Sequence, residues 1–234
     1  MSAIYKRELN SYFNSMIGYV FIAIVIAFVG FYFMIYNMYQ GYPMFADTLR
    51  SILYIFTVAI PILTMKSMSE DRKTKADQIL LTSPVSLTQL VMGKYLALVT
   101  VWIIPILVFC FCPIIISMNG TSYLFSDYSS IFALFIMGCA QIAIGLFISS
   151  ITESQVISAV VTFGALLLLS LWDGIVEYLP SAIGNVLATF SFTAPFVNFS
   201  SYSVFDLRGL ILYISIAFLF IFFTIQSLNK RRWN

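Results

Sequence analysis

The side chains that could do chemistry in this chain are concentrated in one short segment, which is charged first and apolar afterwards. Ser69 would cap a short helix, and Glu70 and Asp71 would lie in its first turn, where acidic groups complement the helix dipole. Lys73 and Asp77 are spaced to pair one turn apart. A charged helix with an uncovered apolar end is typical of a docking surface, although a solvated loop resting on lipid fits the residues equally well. The apolar end and the helix-ending proline are Ile79, Leu80, Leu81 and Pro84.

The rest of the residue inventory excludes most catalytic and metal chemistry. No histidine occurs in the sequence, which removes histidine-dependent catalysis and most zinc sites. No Gly-x-x-x-x-Gly-Lys-Ser/Thr motif is present, so the chain offers no P-loop for ATP. Cys110, Cys112 and Cys139 lie in apolar stretches without the spacing of redox or metal motifs. We therefore expect a protein that is not an enzyme, holds no metal or cofactor, and binds no nucleic acid.

The elements that must position the charged segment are membrane-spanning helices. Hydrophobic residues make up 61% of the chain and charged residues 9%, whereas soluble domains contain about 25% charged residues. At about 20 apolar residues per crossing, the length predicts an all-α integral membrane protein, with residues 1–234 forming one domain of six spans. The predicted spans are 17–36, 48–65, 95–118, 128–151, 156–172 and 207–228.

Three segments outside the spans have their own predicted roles. Tyr5 and Tyr12 belong to an apolar helical face, which predicts that 1–15 is an amphipathic helix in the membrane interface rather than a plain polar lead-in. The loop 66–94 contains the charged segment. The stretch 173–206 is interrupted by proline and glycine but is too apolar for an ordinary outer loop, so we expect short re-entrant helices there.

The positive charges orient the chain in the membrane. With six spans, ten of the twelve Lys and Arg residues fall on the side that holds both termini, and only Arg50 and Arg208 fall on the other. The positive-inside rule therefore predicts cytoplasmic termini. The opposite side would carry the polar loop 119–127, which ends at Asp127. The predicted spans carry no charge near their middle, which disfavours a channel or a transporter driven by an ion gradient.

A long motif around the charged segment resembles the ABC-2 type permease family. Within that family, the chain is most similar to short permeases related to gliding-motility and nitrous-oxide-reductase accessory transporters. It departs from the family pattern at Thr74-Lys75-Ala76 and at Asp77. The resemblance is carried by Pro61, Leu63, Thr64, Met65, Glu70, Asp71, Arg72, Lys73, the run from Leu80 to Ser86, and the run from Gly93 to Ala97.

The resemblance implies how energy would enter the protein. The helix after the second span would be a coupling helix seated in a groove of a separate ATP-binding subunit, which would bind the ATP and Mg that this chain does not. A smaller second contact, or only a polar turn, would lie at Thr152, Glu153, Ser154 and Gln155. The main contact would be made by Glu70, Asp71, Arg72, Lys73, Asp77, Leu80, Leu81, Pro84 and Val85.

The resemblance also implies an assembly. Each six-span unit would supply half of a translocation path, so that a second copy or a paralogue and two ATP-binding subunits would complete the transporter. We therefore expect a multi-pass permease of a bacterial cytoplasmic membrane that acts as an exporter. The alternative is a membrane scaffold that recruits an ATPase-driven machine without carrying a substrate itself.

Overall fold

The computed structural model describes residues 2–75, 86–120, 123–177, 189, 191–201 and 206–233, and within these ranges the chain is helical and contains no strand. A π-helix, Met34–Tyr39, continues α2. The α-helices are α1 (Ser2–Asn14), α2 (Met16–Phe33), α3 (Phe45–Ser51), α4 (Leu53–Thr64), α5 (Ser69–Lys73), α6 (Leu87–Phe109), α7 (Phe111–Asn119), α8 (Leu124–Ile151), α9 (Gln155–Glu177), α10 (Ala194–Ser201) and α11 (Leu207–Trp233).

The predicted all-α membrane fold is confirmed. Six spans are counted in the described part of the chain when α3 and the helix that follows it are taken as one element with a bend of 63°, in addition to five continuous helical stretches. The second predicted span, 48–65, is therefore a broken helix, interrupted at Ile52. Five continuous helical stretches in the described ranges are long and apolar enough to cross a membrane: Met16–Tyr39, Leu87–Met118, Leu124–Ile151, Gln155–Val176 and Leu207–Arg231.

The third span also changes helix near its outer end, and proline explains why. Helix α6 ends at Phe109 and α7 begins at Phe111. Pro113 has no backbone N–H to donate to the Phe109 carbonyl, and in an uninterrupted helix its ring would crowd that carbonyl. The interruption at Cys110 places Pro113 in the first turn of a new helix, where a missing donor is tolerated.

Helix α8 is the most deeply buried of the five continuous spans. The second, third, fifth and sixth spans pack against it, whereas the first span packs against α4 and α6. Two glycines allow close approach of its neighbours. A methyl group at Gly138 would collide with the Trp102 ring of α6, and one at Gly145 would collide with Thr64 of α4. The buried Trp102 ring also meets the ring of Phe56 edge-on, with centroids 5.5 Å apart. Small residues on α8 thus bring the second and third spans into one core.

The outer segment 173–206 contains a short helix, α10, that packs against α8, α3 and α11. Its Phe196 and Phe199 are fully buried, and the Tyr213 hydroxyl of α11 donates to the Phe192 carbonyl at 2.7 Å. A buried short helix is consistent with the predicted re-entrant pieces. The rest of that prediction falls on 178–188, 190 and 202–205, which lie outside the described residues.

Candidate functional site

The charged segment begins as the predicted short helix, but a different serine holds its start. Helix α5 covers Ser69–Lys73, with Met68 rather than Ser69 at the capping position. The backbone N–H groups of Met68 and Ser69 both donate to the hydroxyl of Ser149 in α8, each at 3.1 Å. Ser69 itself donates to the Met65 carbonyl. The unpaired donors at the start of α5 are therefore satisfied by a neighbouring span, which fixes the helix against the bundle.

A buried lysine lies behind α5. The structure places Lys94 in the second turn of α6 and leaves it 1% exposed, rather than at the end of the loop 66–94. Its ammonium nitrogen lies 2.5 Å from the Asp71 carboxylate and 3.2 Å from the Glu8 carboxylate. It also donates to the Ser67 carbonyl. A buried cation needs such compensation, because it has lost its hydration. We call these three side chains, Glu8, Asp71 and Lys94, the ion triad.

The ion triad depends on close packing of the N-terminal helix. Beside Lys94, a methyl group at Gly93 would lie 3.1 Å from the Ile4 side chain of α1. Tyr5 of α1 also forms a 3.0 Å hydrogen bond to Thr100 of α6. These contacts place α1 along α6 and bring Glu8, which is 7% exposed, to the lysine. The amphipathic helix predicted over 1–15 is thus one wall of the site.

Arg7 extends the ion triad toward solvent. Its guanidinium lies 2.9 Å from Glu8 and 3.7 Å from Asp71, and its side chain is half exposed. Burial alone would lower the pKa of Arg7, but the hydrogen bond and charge of Glu8 and the charge of Asp71 raise it. Four charges, two of each sign, therefore neutralise one another where α1, α5 and α6 meet.

Between α1 and α5 lies an open polar cavity of about 220 Å³. The Tyr12 hydroxyl and the Ser67 hydroxyl are both buried there. Burial raises the pKa of the Tyr12 phenol above its usual range, and the negative charge of Glu8 adds to the effect. Tyr12 therefore stays neutral at physiological pH. The remaining wall is formed by Arg7, Ser11, Lys66, Glu70, Asp71 and Thr74.

Two arginines close the end of α8 beside α5. Arg72 pairs with Glu153 at 2.9 Å and donates to the Ile151 carbonyl, while Arg231 of α11 donates to the Ser150 carbonyl. The last carbonyls of a helix are unpaired and partially negative, so cations there are favourable. Arg72 thereby brings together two segments that the sequence predicts as separate partner contacts, namely the coupling helix and the turn 152–155.

The structure divides the predicted contact residues into two groups. Asp71 and Arg72 are engaged within the chain, through the ion triad and the α8 terminus. Lys73 and Thr74 are exposed, and Glu70 is partly exposed while pairing with Lys66 at 3.4 Å. In the turn, Glu153 is largely exposed, although it pairs with Arg72. Five further predicted contacts lie outside the described residues: Asp77, Leu80, Leu81, Pro84 and Val85.

The opposite end of the bundle contains a second buried polar cluster that the sequence did not indicate. Asp127 is fully buried in the first turn of α8, not in a polar loop, and accepts a 3.0 Å hydrogen bond from the backbone of Ala46. Thr48 donates to the Asn37 side chain at 2.6 Å. The Asn37 amide in turn donates to the Tyr42 carbonyl at 2.9 Å and to a second carbonyl nearby. These bonds hold α3 at the break in the second span.

Sequence reasoning did not single out Glu8, Lys94 as a buried cation, Ser149, Asn37 or Asp127. Two of them left a signal. Lys94 sits inside an apolar run that continues on both sides, and Glu8 lies one helical turn before Tyr12, on the face that α1 buries. Ser149 left none, because a serine in an apolar helix has no distinctive spacing.

Comparison with known proteins agrees with this architecture. Residues 2–217 match the sequence model of a family described as ABC-2 family transporter protein. The chain therefore belongs to the ABC-2 transporter family, and it is a multi-pass membrane component of that class of transporter. No curated protein and no solved structure matches the chain at a significant level.

Proposed function

We propose that this chain is the permease subunit of an ATP-binding cassette exporter, energised by a separate ATP-binding subunit that docks on α5. The observation that carries the proposal is the two-sided character of α5. Its outward side offers Lys73 and Thr74 to solvent, while Ser149 and Lys94 hold its inward side against two spans. When an exposed helix is bonded to the spans on its inward side, a displacement of the helix also displaces the spans. A solvated loop would move without them.

The proposal places this end of the bundle in the cytoplasm. Nine of the twelve Lys and Arg residues belong to the termini and to the segment that contains α5, and Lys94 lies beside them in the second turn of α6, which favours a cytoplasmic location. The contact of Arg231 with the end of α8 brings the C-terminal region beside α5. A cytoplasmic ATP-binding subunit, with its ATP and Mg, would meet this surface. The bacterial cytoplasmic membrane is the proposed location.

The second proposed contact is the turn 152–155. Because Arg72 joins α5 to Glu153, one partner surface could cover both. The predicted contacts that follow α5 in the sequence, at Asp77, Leu80, Leu81, Pro84 and Val85, remain part of the proposal. A second copy or a paralogue would complete the translocation path.

Association and ATPase activity test the proposal. The purified chain should hydrolyse no ATP, whereas the chain with the ATP-binding cassette subunit of the same organism should form a complex that does. Glu70→Lys combined with Lys73→Glu should reduce co-purification of that subunit, because Lys73 is exposed and Glu70 is partly exposed on the proposed contact helix. Asp47→Lys, an exposed charge reversal at the opposite end, is the matched control and should leave the complex intact. Equal loss of the complex in both variants, or in neither, contradicts the docking site.

The scaffold alternative has a distinct outcome. A scaffold would bind the ATP-binding subunit and support its ATPase activity, but the spans would not change with nucleotide. The variant Gln40→Cys, at an exposed position of the opposite end, reports such a change through its rate of labelling by a membrane-impermeant maleimide. A labelling rate that is the same with and without ATP, in an active complex, would favour the scaffold.

A further inference from the structure

We propose that Lys94 is a positioning residue that joins α1, α5 and the third span into one moving unit, so that ATP-driven displacement of α5 reaches the spans through the ion triad. This inference rests on the proposed function and concerns how the same site passes on motion. Lys94 is 1% exposed, so a partner subunit cannot touch it. Its role must therefore be exerted through its neighbours.

Lys94 contacts three of the segments around it. From α6 its ammonium group reaches Asp71 on α5, Glu8 on α1 and the Ser67 carbonyl in the turn after α4. The hydrogen bond to Ser67 and the two ion pairs, to Asp71 and to Glu8, lead to three different segments. A single side chain thus connects the N-terminal helix, the proposed coupling helix and two spans.

These contacts are difficult to break one at a time. Glu8 is 7% exposed, and the Asp71 side chain is 20% exposed. If α5 moved without α6, the Lys94 ammonium group, which is 1% exposed and does not line the open cavity, would lose a carboxylate partner, and this is strongly unfavourable. Motion of α5 together with α6 and α1 keeps the charges paired. The low-energy displacement is therefore a concerted one.

A second ion pair that attaches α5 is much more exposed to water. Arg72 and Glu153 are paired at 2.9 Å, but the glutamate side chain is 73% exposed. Water can replace that pair at little cost, so it can open and close as α5 moves. Of the described ionic contacts of α5, the one through Lys94 is the one that stays closed.

The experiment uses the full complex with its ATP-binding subunit, in a background where Cys110, Cys112 and Cys139 are replaced by Ala and Gln40 by Cys. Two quantities are measured: ATP hydrolysis, and the change in maleimide labelling at position 40 between nucleotide-free and ATP–vanadate states. In Lys94→Met the complex should form and hydrolyse ATP. The labelling change should nevertheless fall by at least about tenfold, because the ion pair that holds α5 to α6 is lost. Lys94→Arg, which retains the positive charge, should keep most of the labelling change.

A second variant covers the case in which Lys94→Met does not fold. Glu8→Gln keeps the lysine with its contacts to Asp71 and Ser67 but removes the charge on α1, so the labelling change should fall in part while ATP hydrolysis continues. A full labelling change in Lys94→Met, or in Glu8→Gln if the first does not fold, overturns the proposal and leaves the proposed function standing. A complex that hydrolyses ATP without any labelling change in the Gln40→Cys parent contradicts both. Equal loss in Lys94→Arg and Lys94→Met overturns the role of the charge.

Discussion

The two ends of the bundle are held together by different chemistry. At the end that carries the termini, helices are joined by ion pairs between side chains, centred on Lys94 with Glu8 and Asp71. At the opposite end, the described polar contacts mostly join a side chain to a backbone group, as when Asp127 accepts from Ala46. The first arrangement links whole helices, and the second stabilises particular breaks in a helix.

The difference indicates where the molecule can bend. The opposite end contains a π-helix, a 63° bend at the second span and the short helix α10. Such irregularities are where helices change shape, because their backbone hydrogen bonds are already rearranged. The end with the termini contains long helices joined by buried charges. A displacement applied at the end with the termini would move whole helices, and the irregular helices at the opposite end would change shape.

Lys94→Ala should give the largest effect on stability. It leaves the Asp71 carboxylate without its nearest cation and the buried Glu8 carboxylate with Arg7 as its remaining partner, and breaking a buried ion pair in this way costs about 3–5 kcal/mol. The free energy of unfolding in detergent, measured by denaturant titration, checks this. Lys94→Arg is the control and should lose less. An unfolding midpoint for Lys94→Ala equal to that of the unmodified protein would show that the ion triad does not hold this end.

Asp127→Ala should be less costly and should act locally. It removes the acceptor for the Ala46 backbone N–H, and an unsatisfied buried donor costs about 1–3 kcal/mol. Hydrogen exchange should therefore quicken at the start of α3, while α5 exchanges as before. Asp127→Asn keeps one acceptor oxygen and should exchange more slowly than Asp127→Ala. Equal acceleration at both ends would mean that the two clusters are not independent.

Ser149→Ala should loosen α5 alone. The backbone N–H groups of Met68 and Ser69 lose their shared acceptor, and loss of a helix cap costs about 1 kcal/mol. Trypsin cleavage after Lys73 should become faster in membrane vesicles that expose the α5 side to the protease. Ser150→Ala is a matched control, because the Ser150 hydroxyl donates within its own helix, to Phe147. Cleavage that quickens equally in the two variants would argue against the cap.

Glu153→Gln should have the smallest effect. Its partner, Arg72, also donates to the Ile151 carbonyl, and the glutamate is largely exposed, so the pair contributes about 0.2–1 kcal/mol. The difference from the unmodified protein should disappear in high salt, unlike that of Lys94→Ala. A salt-independent loss above this range would mean that the α5 attachment is shared more evenly than the ion triad implies.

Much of the fold could be predicted from the sequence because hydrocarbon imposes simple rules. Apolar length predicts the spans, and the acids at Glu70 and Asp71 correctly predict the start of a helix at α5. The break at Ile52 could not be predicted, because nothing in its neighbourhood is a helix breaker. It depends on Asn37 and Asp127, which are distant in sequence.

The sequence singles out the segment around α5 as a candidate site but does not indicate the contacts that this segment makes within the chain. Sequence rules assign charged residues to water, so they place Lys94 in one loop and Asp127 in another. Both are buried because their partners come from other helices, and those pairings exist only after packing. For the same reason the sequence indicates Asp71 and Arg72 as partner contacts, although the structure engages both within the chain.

Site-specific cross-linking tests the central claim most directly, since the claim is that an ATP-binding subunit docks on α5. A photo-activatable residue is placed at Lys73, and in a second variant at Gln40, which is also exposed but lies at the opposite end. We predict that, in native membranes, position 73 cross-links to a protein whose peptides include a P-loop, and that position 40 does not. A P-loop protein captured from position 40, or none captured from position 73 in an assembled and active complex, would contradict the account.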